Sequence, residues 1–326
     1  MKKLIEAIKF EWRGLIIAII IGIAAVFIRN ISANPVLDPL LVAMTIGIVV
    51  RSFMKKDSKM VQGLNLAPFL FIPIGVVIYG AVNLNFVKFT EVSTNYIFLL
   101  FLIFLIYIIS ILWLSNIFGL KKKTGYLVAT GSTICGASAI AITSDAIDAE
   151  PDEVSTSLIS VYISALLGLF VILPVISGLL NLFNMEYGIL SGTVLQFTGF
   201  VKAAVADLPT EVKTIAISVK AMRYVGLLII IPLFASFVRR RLHIPWYLWA
   251  FLGAGIIFSY VPHLHEAYGT MLKSVLNILW SIAMASIGLS ENIRTLFSRQ
   301  GFSALCVSLI SFLIAVGVFI VGLKIL

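Results

Sequence analysis

Residues 95–115 read NYIFLLFLIFLIYIISILWLS, twenty-one consecutive positions without a charge. A helix of that length spans about 30 Å, the thickness of a bilayer's hydrocarbon core. In hydrocarbon every backbone N–H and C=O needs a partner within the protein, so such a run folds as a helix. The same logic places apolar spans near 14–32, 37–53, 61–83, 95–115, 125–145, 157–181, 187–206, 212–237, 245–262, 270–290 and 302–325. With 60% hydrophobic and 12% charged residues, and a mean hydropathy of +1.09, the chain has no room for a separate soluble domain. The expectation is an all-α polytopic membrane protein of about eleven transmembrane helices.

Charge orients it. With the N-terminus cytoplasmic, sixteen of the 24 lysines and arginines fall in loops on one side, among them Lys2, Lys3, Arg51, Lys121–Lys123, Arg239–Arg241 and Arg299. Five lie on the other side: Arg29, Lys88, Lys213, Lys273 and Lys324. This positive-inside asymmetry predicts a multi-pass protein of the inner or plasma membrane with its C-terminus outside. It also accounts for the formal charge of +9, so nucleic acid is not implied. The basic N-terminus precedes a long apolar run without a small-residue cleavage site and reads as a retained span. Leu4, Ile5, Ile8 and Trp12 share a face suited to the membrane interface.

The span starts at 37, 61, 95, 125 and 157 recur about 150 residues later, which divides the chain into 1–36, 37–181 and 187–326. The first part is an interfacial segment with an extra helix, and the other two are five-helix halves within one membrane domain. Five is odd, so the halves enter from opposite sides, as inverted repeats of secondary transporters do. The fourth span of the first half contains GSTICGASAIAITSDAI, with small or hydroxylated residues where bulky side chains belong. Its counterpart holds Ser281, Ala283, Ala285, Ser286 and Gly288. Paired breaks in these two helices would form a central site, since irregular backbone is tolerated only against protein or a watery cavity. Plain close packing of helices is the competing explanation, and for the 281–288 stretch alone it is the stronger one.

Lys220 and Arg223 lie mid-span with no acid in the same span. Mid-membrane cations face a cavity or a partner. A bound anion supplies the missing charge, aided by N–H groups at the breaks. Lys202 sits close enough to a span end to snorkel. The candidate substrate site is thus Gly131, Ser132, Thr133, Cys135, Gly136, Ala137, Ser138, Thr193, Gln196, Lys220, Arg223, Ser281 and Ser286. Asp145, Asp148, Glu150, Asp152 and Glu153 read as a solvated turn at which Pro151 starts the next helix, and Asp145 alone is a candidate ion-coupling acid. His263-Leu-His265-Glu266 lacks further ligands, and Cys135 and Cys306 make no disulfide framework, so neither metal nor cofactor is expected. No hydrolase or phosphate-loop motif occurs, and the chain is not expected to be an enzyme.

GSTICGASAIA at 131–141 resembles the signature of the YeiH-type membrane proteins, a bacterial and archaeal group to which sulfate export has been ascribed. LDPLLVAMTIGIVVRS at 37–52, GTVLQFTGFVKAA at 192–204, VKAMRYVGLLIIIP at 219–232 and AMASIGLSENIRTL at 283–296 extend the resemblance. It implies a distant fold relation to bile acid symporters and sodium/proton antiporters, two crossed discontinuous helices and an elevator motion. Lys220 and Arg223 match the family's cations. The chain departs from it at Gln196, Phe197 and Phe200, where the family has a polar His-Asp and a Gln, and at Ser144 and Asp145, where it has Ala-Pro.

The expected function is export of a small anion, such as sulfate, an organosulfonate or a carboxylate, by alternating access, with a homodimer favoured. The alternatives are a sodium- or proton-coupled carrier of a neutral or cationic solute, with Asp145 coupling, and a non-transporting membrane scaffold or sensor.

Overall fold

The computed structural model describes residues 12–32, 34–53, 64, 66–90, 92–290 and 298–325. Leu4, Ile5 and Ile8, with Lys2, Lys3 and Arg294, lie outside the described residues. Sixteen helical elements follow one another: α1 Trp12–Ser32, α2 Pro39–Phe53, α3 Leu66–Asn83, α4 Phe86–Phe89, α5 Thr94–Ile117, α6 Lys122–Thr133, α7 Ala137–Ala146, α8 Pro151–Leu167, α9 Leu173–Leu180, α10 Asn184–Val194, α11 Thr198–Ala204, α12 Thr210–Met222, α13 Leu227–Arg239, α14 Trp246–Tyr260, α15 Pro262–Ser290 and α16 Arg299–Ile325. No strand occurs among the described residues. A π-turn, Gly168–Ile172, joins α8 to α9, and a short 3-10 turn, Arg223–Gly226, joins α12 to α13.

Among the described residues, seven helical segments are long and apolar enough to cross a membrane: Gly14–Ser32, Leu66–Asn83, Thr94–Ile117, Pro151–Leu180, Thr210–Arg239, His263–Ser290 and Arg299–Ile325. Two shorter apolar helices, Pro39–Phe53 and Trp246–Tyr260, stand beside them. The protein is a multi-pass membrane bundle.

The expected span at 125–145 behaves differently. Lys121, before α6, pairs with Asp152 at 2.6 Å, and Lys123 Nζ donates to the Asp148 carbonyl. Both ends of the segment therefore lie at one end of the bundle, and α6–α7 is a hairpin that enters and returns. Contact between Gly131 and Ile140, placed symmetrically about the break, shows the arms antiparallel. The segment at 187–206 does the same from the opposite end. Gly188 meets Val212 and Gly192 meets Ala216, so α10 and α12 run parallel and start from the same end, and α11 has carried the chain back between them. These two hairpins replace the two crossed helices predicted from sequence.

The second break also moves. Residues 281–288 are continuous helix within α15, and the discontinuity lies at Leu195–Phe197 between α10 and α11. The two breaks thus do not occupy equivalent positions of the expected halves. In α15 the small residues serve close packing: Gly288 abuts the Met44 backbone, Gly22 the Ile282 backbone, and Ser286 Oγ donates to Leu64 O at 2.9 Å.

Packing divides the helices into two groups. α15 lies against α1, α2 and α3, and α3 against α14, which makes a frame. α6 and α16 each pack against α5 and α8, and α10 against α12, which makes a core carrying both hairpins. Contact between the groups runs chiefly through α3 against α7 and α15 against α8.

Candidate functional site

Each hairpin tip exposes an electrostatic problem. The last turn of a helix leaves carbonyls without partners and carries the negative end of its dipole, and here α6 and α10 both end inside the bundle. Lys220 and Arg223, on the C-terminal turn of α12 and the turn that follows it, resolve it. The Lys220 ammonium donates to Ile134 O, Leu195 O and Gln196 O at 2.7, 2.8 and 2.7 Å. Arg223 donates to Thr133 O at 2.7 Å, Ser132 O at 2.6 Å, Leu195 O at 2.8 Å and Gly192 O at 3.4 Å. Both side chains are buried. The two cations therefore pin both tips together through backbone oxygens.

At the first tip Gly136 adopts φ +68°, a conformation that favours glycine, and a methyl there would stand 2.6 Å from the Phe197 ring. Phe197 also meets Phe200 and Tyr162 with ring centroids 5.2 and 5.3 Å apart. Phe197 and Phe200, two of the positions where the chain departs from its resemblance, thus form an aromatic cluster with Tyr162 under the tip. Ala137 opens α7, whose first-turn N–H groups have no intrahelical acceptor; its first backbone bond to the tip is Ile140 N–H to Gly136 O at 3.1 Å.

Next to that helix start is a cavity of about 180 Å³ between frame and core. Cys135 and Ser138 line it from the first hairpin, Thr198, Gly199 and Lys202 from α11, and Arg29, Asp38, Asn83 and Lys273 from the frame. Tyr79 and Trp280 complete its floor, their rings 5.2 Å apart. Asp38 is held by the N–H of Leu40 at 2.8 Å. Among the described residues, none of Arg29, Lys202 and Lys273 makes an ion pair. Three cations thus face one carboxylate. A second cavity of about 540 Å³ continues outward past Asn83, Thr198, Lys202 and Lys273 to His265 and Glu266.

Of the residues predicted from sequence, Cys135 and Ser138 reach this cavity, and Gly136 and Ala137 build the tip behind it. Ser132 instead meets Ser308 at 3.4 Å, Gly131 packs on Ile140, and the side chains of Thr133, Thr193, Gln196 and Ser281 are buried with no hydrogen-bond partner among the described residues. Ser281 and Ser286 belong to the helix packing of the frame. Lys202, read as snorkelling, is a cavity residue, and Arg29, Asp38 and Lys273 were not singled out at all. The one signal for them was their shared place on the less basic side of the sequence.

Asp145 lies at the other end of α7, where its carboxylate accepts the Tyr247 hydroxyl at 2.9 Å across the seam between core and frame. The acid-rich turn is as expected only in part: Asp148 and Glu150 are exposed and Asp148 pairs with Arg239 at 2.9 Å, whereas Glu153 is buried, where it accepts the Glu150 N–H at 2.9 Å. No group of three or more metal-ligating side chains occurs among the described residues.

The comparisons agree with the resemblance carried by GSTICGASAIA. A UPF0324 membrane protein of Archaeoglobus fulgidus is 30% identical over 280 residues, covering 83% of this chain and 80% of the relative. One from Bacillus cereus is 26% identical over 313 residues, covering 91% and 90%, and one from Bartonella henselae 29% over 320 residues, covering 92% and 89%. No solved structure matches the chain. The family profile described as conserved hypothetical protein 698 matches residues 13–308, and the chain accordingly belongs to that family, the UPF0324 membrane proteins.

Proposed function

We propose that the protein is a secondary transporter of a small anion, such as sulfate, an organosulfonate or a carboxylate, and that it works by alternating access. The observation that carries this reading is the cavity at the start of α7, where Arg29, Lys202 and Lys273 outnumber Asp38 and have no ion-pair partner among the described residues. An anion there gains both side-chain charge and the positive end of the α7 dipole. Ser138 and Thr198 supply hydroxyls of the kind that accept or donate to oxyanions.

Nine helices crossing the bilayer and two re-entrant hairpins meeting at its middle account for the lengths and the charge distribution together. In this topology the lysine- and arginine-rich end is cytoplasmic, as positive-inside asymmetry requires. Cavities at both ends of α7 lie between frame and core, so a rigid shift of the core against the frame would close one and open the other. That is elevator-type motion, and the hairpins pinned by Lys220 and Arg223 travel as one body within it.

Uptake of labelled sulfate and of small sulfonates and carboxylates into proteoliposomes tests the reading. Lys202→Gln with Lys273→Gln is expected to abolish uptake of the transported anion while the protein still folds, because both side chains are exposed. Undiminished uptake by that double variant would remove the cavity from the transport path.

A further inference from the structure

The cavity at the start of α7 holds one group that repels any anion. Asp38 immediately precedes α2, and its Oδ1 accepts the Leu40 N–H at 2.8 Å. That bond caps the helix, but asparagine or serine caps as well and brings no charge. The loop that carries Asp38 is held from the core: Gly199 abuts the Pro35 carbonyl oxygen, and the Tyr162 hydroxyl donates to Val36 O at 3.2 Å. The carboxylate is thus fixed on the wall it shares with Arg29, Lys202 and Lys273. Among the described residues no cation pairs with it and no side chain donates to it.

Hydrogen-bonding capacity on this wall is uneven. Arg29, Lys202 and Lys273 can only donate, while Ser138 and Thr198 can donate or accept, Thr198 sharing a bond of 2.7 Å with the Tyr224 hydroxyl. Asp38, ionised as an aspartate ordinarily is at neutral pH, can only accept. A carboxylate offers about four acceptor positions, and the Leu40 N–H occupies one of them. An anion with no proton to give, such as sulfate, meets the donors but sets like charge against Asp38, which costs affinity. An anion that also carries an O–H meets the donors through its charged group and Asp38 through that hydrogen. The volume of about 180 Å³ has room for about six water-sized groups, enough for a charged headgroup and a short arm. We infer that the anion held in this cavity, the transport site proposed above, carries a hydroxyl or a protonated acid oxygen, and that Asp38 accepts that hydrogen bond and discriminates against sulfate. Affinity then comes from the cations and specificity from the one carboxylate among them.

Calorimetric titration of the detergent-purified full chain at neutral pH tests this with two matched pairs of anions. One pair is hydrogen phosphate and sulfate; the other is 2-hydroxyethanesulfonate and propane-1-sulfonate, in which a methyl replaces the hydroxyl. Wild type, which needs no substitution for this comparison, is expected to bind the donor-bearing member about tenfold to a hundredfold more tightly, the worth of one hydrogen bond to a charged group. In Asp38→Asn, which keeps the cap, that preference is expected to shrink about fivefold or more, chiefly because the donor-free anions bind more tightly. Equal affinities within both pairs, a preference for the donor-free members, or a preference unchanged in Asp38→Asn would each overturn the inference and leave the cavity an anion site. Absence of binding by all four anions in wild type would overturn the transport reading and this inference with it.

Discussion

Lys220→Met separates a structural clamp from a ligand site. In the structure the ammonium satisfies three carbonyls at 2.7 to 2.8 Å, and the substitution leaves those oxygens facing an apolar side chain. A hydrogen bond to a charged group contributes about 1.5–3 kcal/mol, but removing the lysine also relieves the cost of burying a cation. The net loss is about 3–5 kcal/mol, which is what that relief leaves of about 1–3 kcal/mol for each carbonyl that loses its donor. At about 2 °C per kcal/mol for a chain of this size, Tm in detergent falls by about 6–10 °C without added anion. The assay is a thermal melt of the purified protein with and without sulfate. If Lys220 served the ligand, its removal would relieve an uncompensated charge, leave the anion-free Tm level or raised, and erase the anion response. That result would refute the clamp.

Other substitutions probe the remaining contacts. Gly136→Ala meets both the positive φ and the Phe197 ring, and a loss of about 2 kcal/mol or more in stability is expected, partly recovered in Gly136→Ala with Phe197→Leu. Ser286→Ala removes the bond to Leu64 O and should cost about 1 kcal/mol in a denaturation curve while leaving anion binding untouched. Tyr247→Phe deletes the hydrogen bond to Asp145, and faster hydrogen exchange at the C-terminal turn of α7 is the expected signature. In a Cys306→Ser background, a transported anion should slow labelling of Cys135 by a small thiol reagent, since Cys135 lines the cavity.

Much of this was legible in the sequence, for physical reasons. Every apolar run predicted as a span is helical over most of its described residues, with interruptions at 134–136 and 195–197, because hydrocarbon permits little else. The cluster of small residues at 131–138 does mark a break, and Lys220 and Arg223 do belong to it. What hydropathy does not encode is whether a helix crosses or returns. The segment from Lys122 to Ala146 is long enough to cross, and a kinked span and a hairpin have the same composition. The clue lay in charge: Lys121 before it pairs with Asp152 after it, and Lys123 in its first turn donates to the Asp148 carbonyl, which places both flanks on one side. The 281–288 stretch misled because small residues allow close helix packing as readily as they allow a break. The cavity cations were hidden for a different reason: Arg29, Lys202 and Lys273 come from three elements far apart in sequence, and only folding assembles them.

The central claim is that an anion binds among Arg29, Lys202 and Lys273 at the start of α7. A thermal-shift titration with sulfate, sulfonates and carboxylates, run on wild type and on Lys202→Gln with Lys273→Gln, tests it most directly, since a ligand stabilises by RT ln(1 + [L]/Kd). The account predicts that at least one of these anions raises the Tm of wild type and that the double variant needs about tenfold more of it or more for the same rise. An equal rise in both proteins, or none in wild type with any anion, would contradict it.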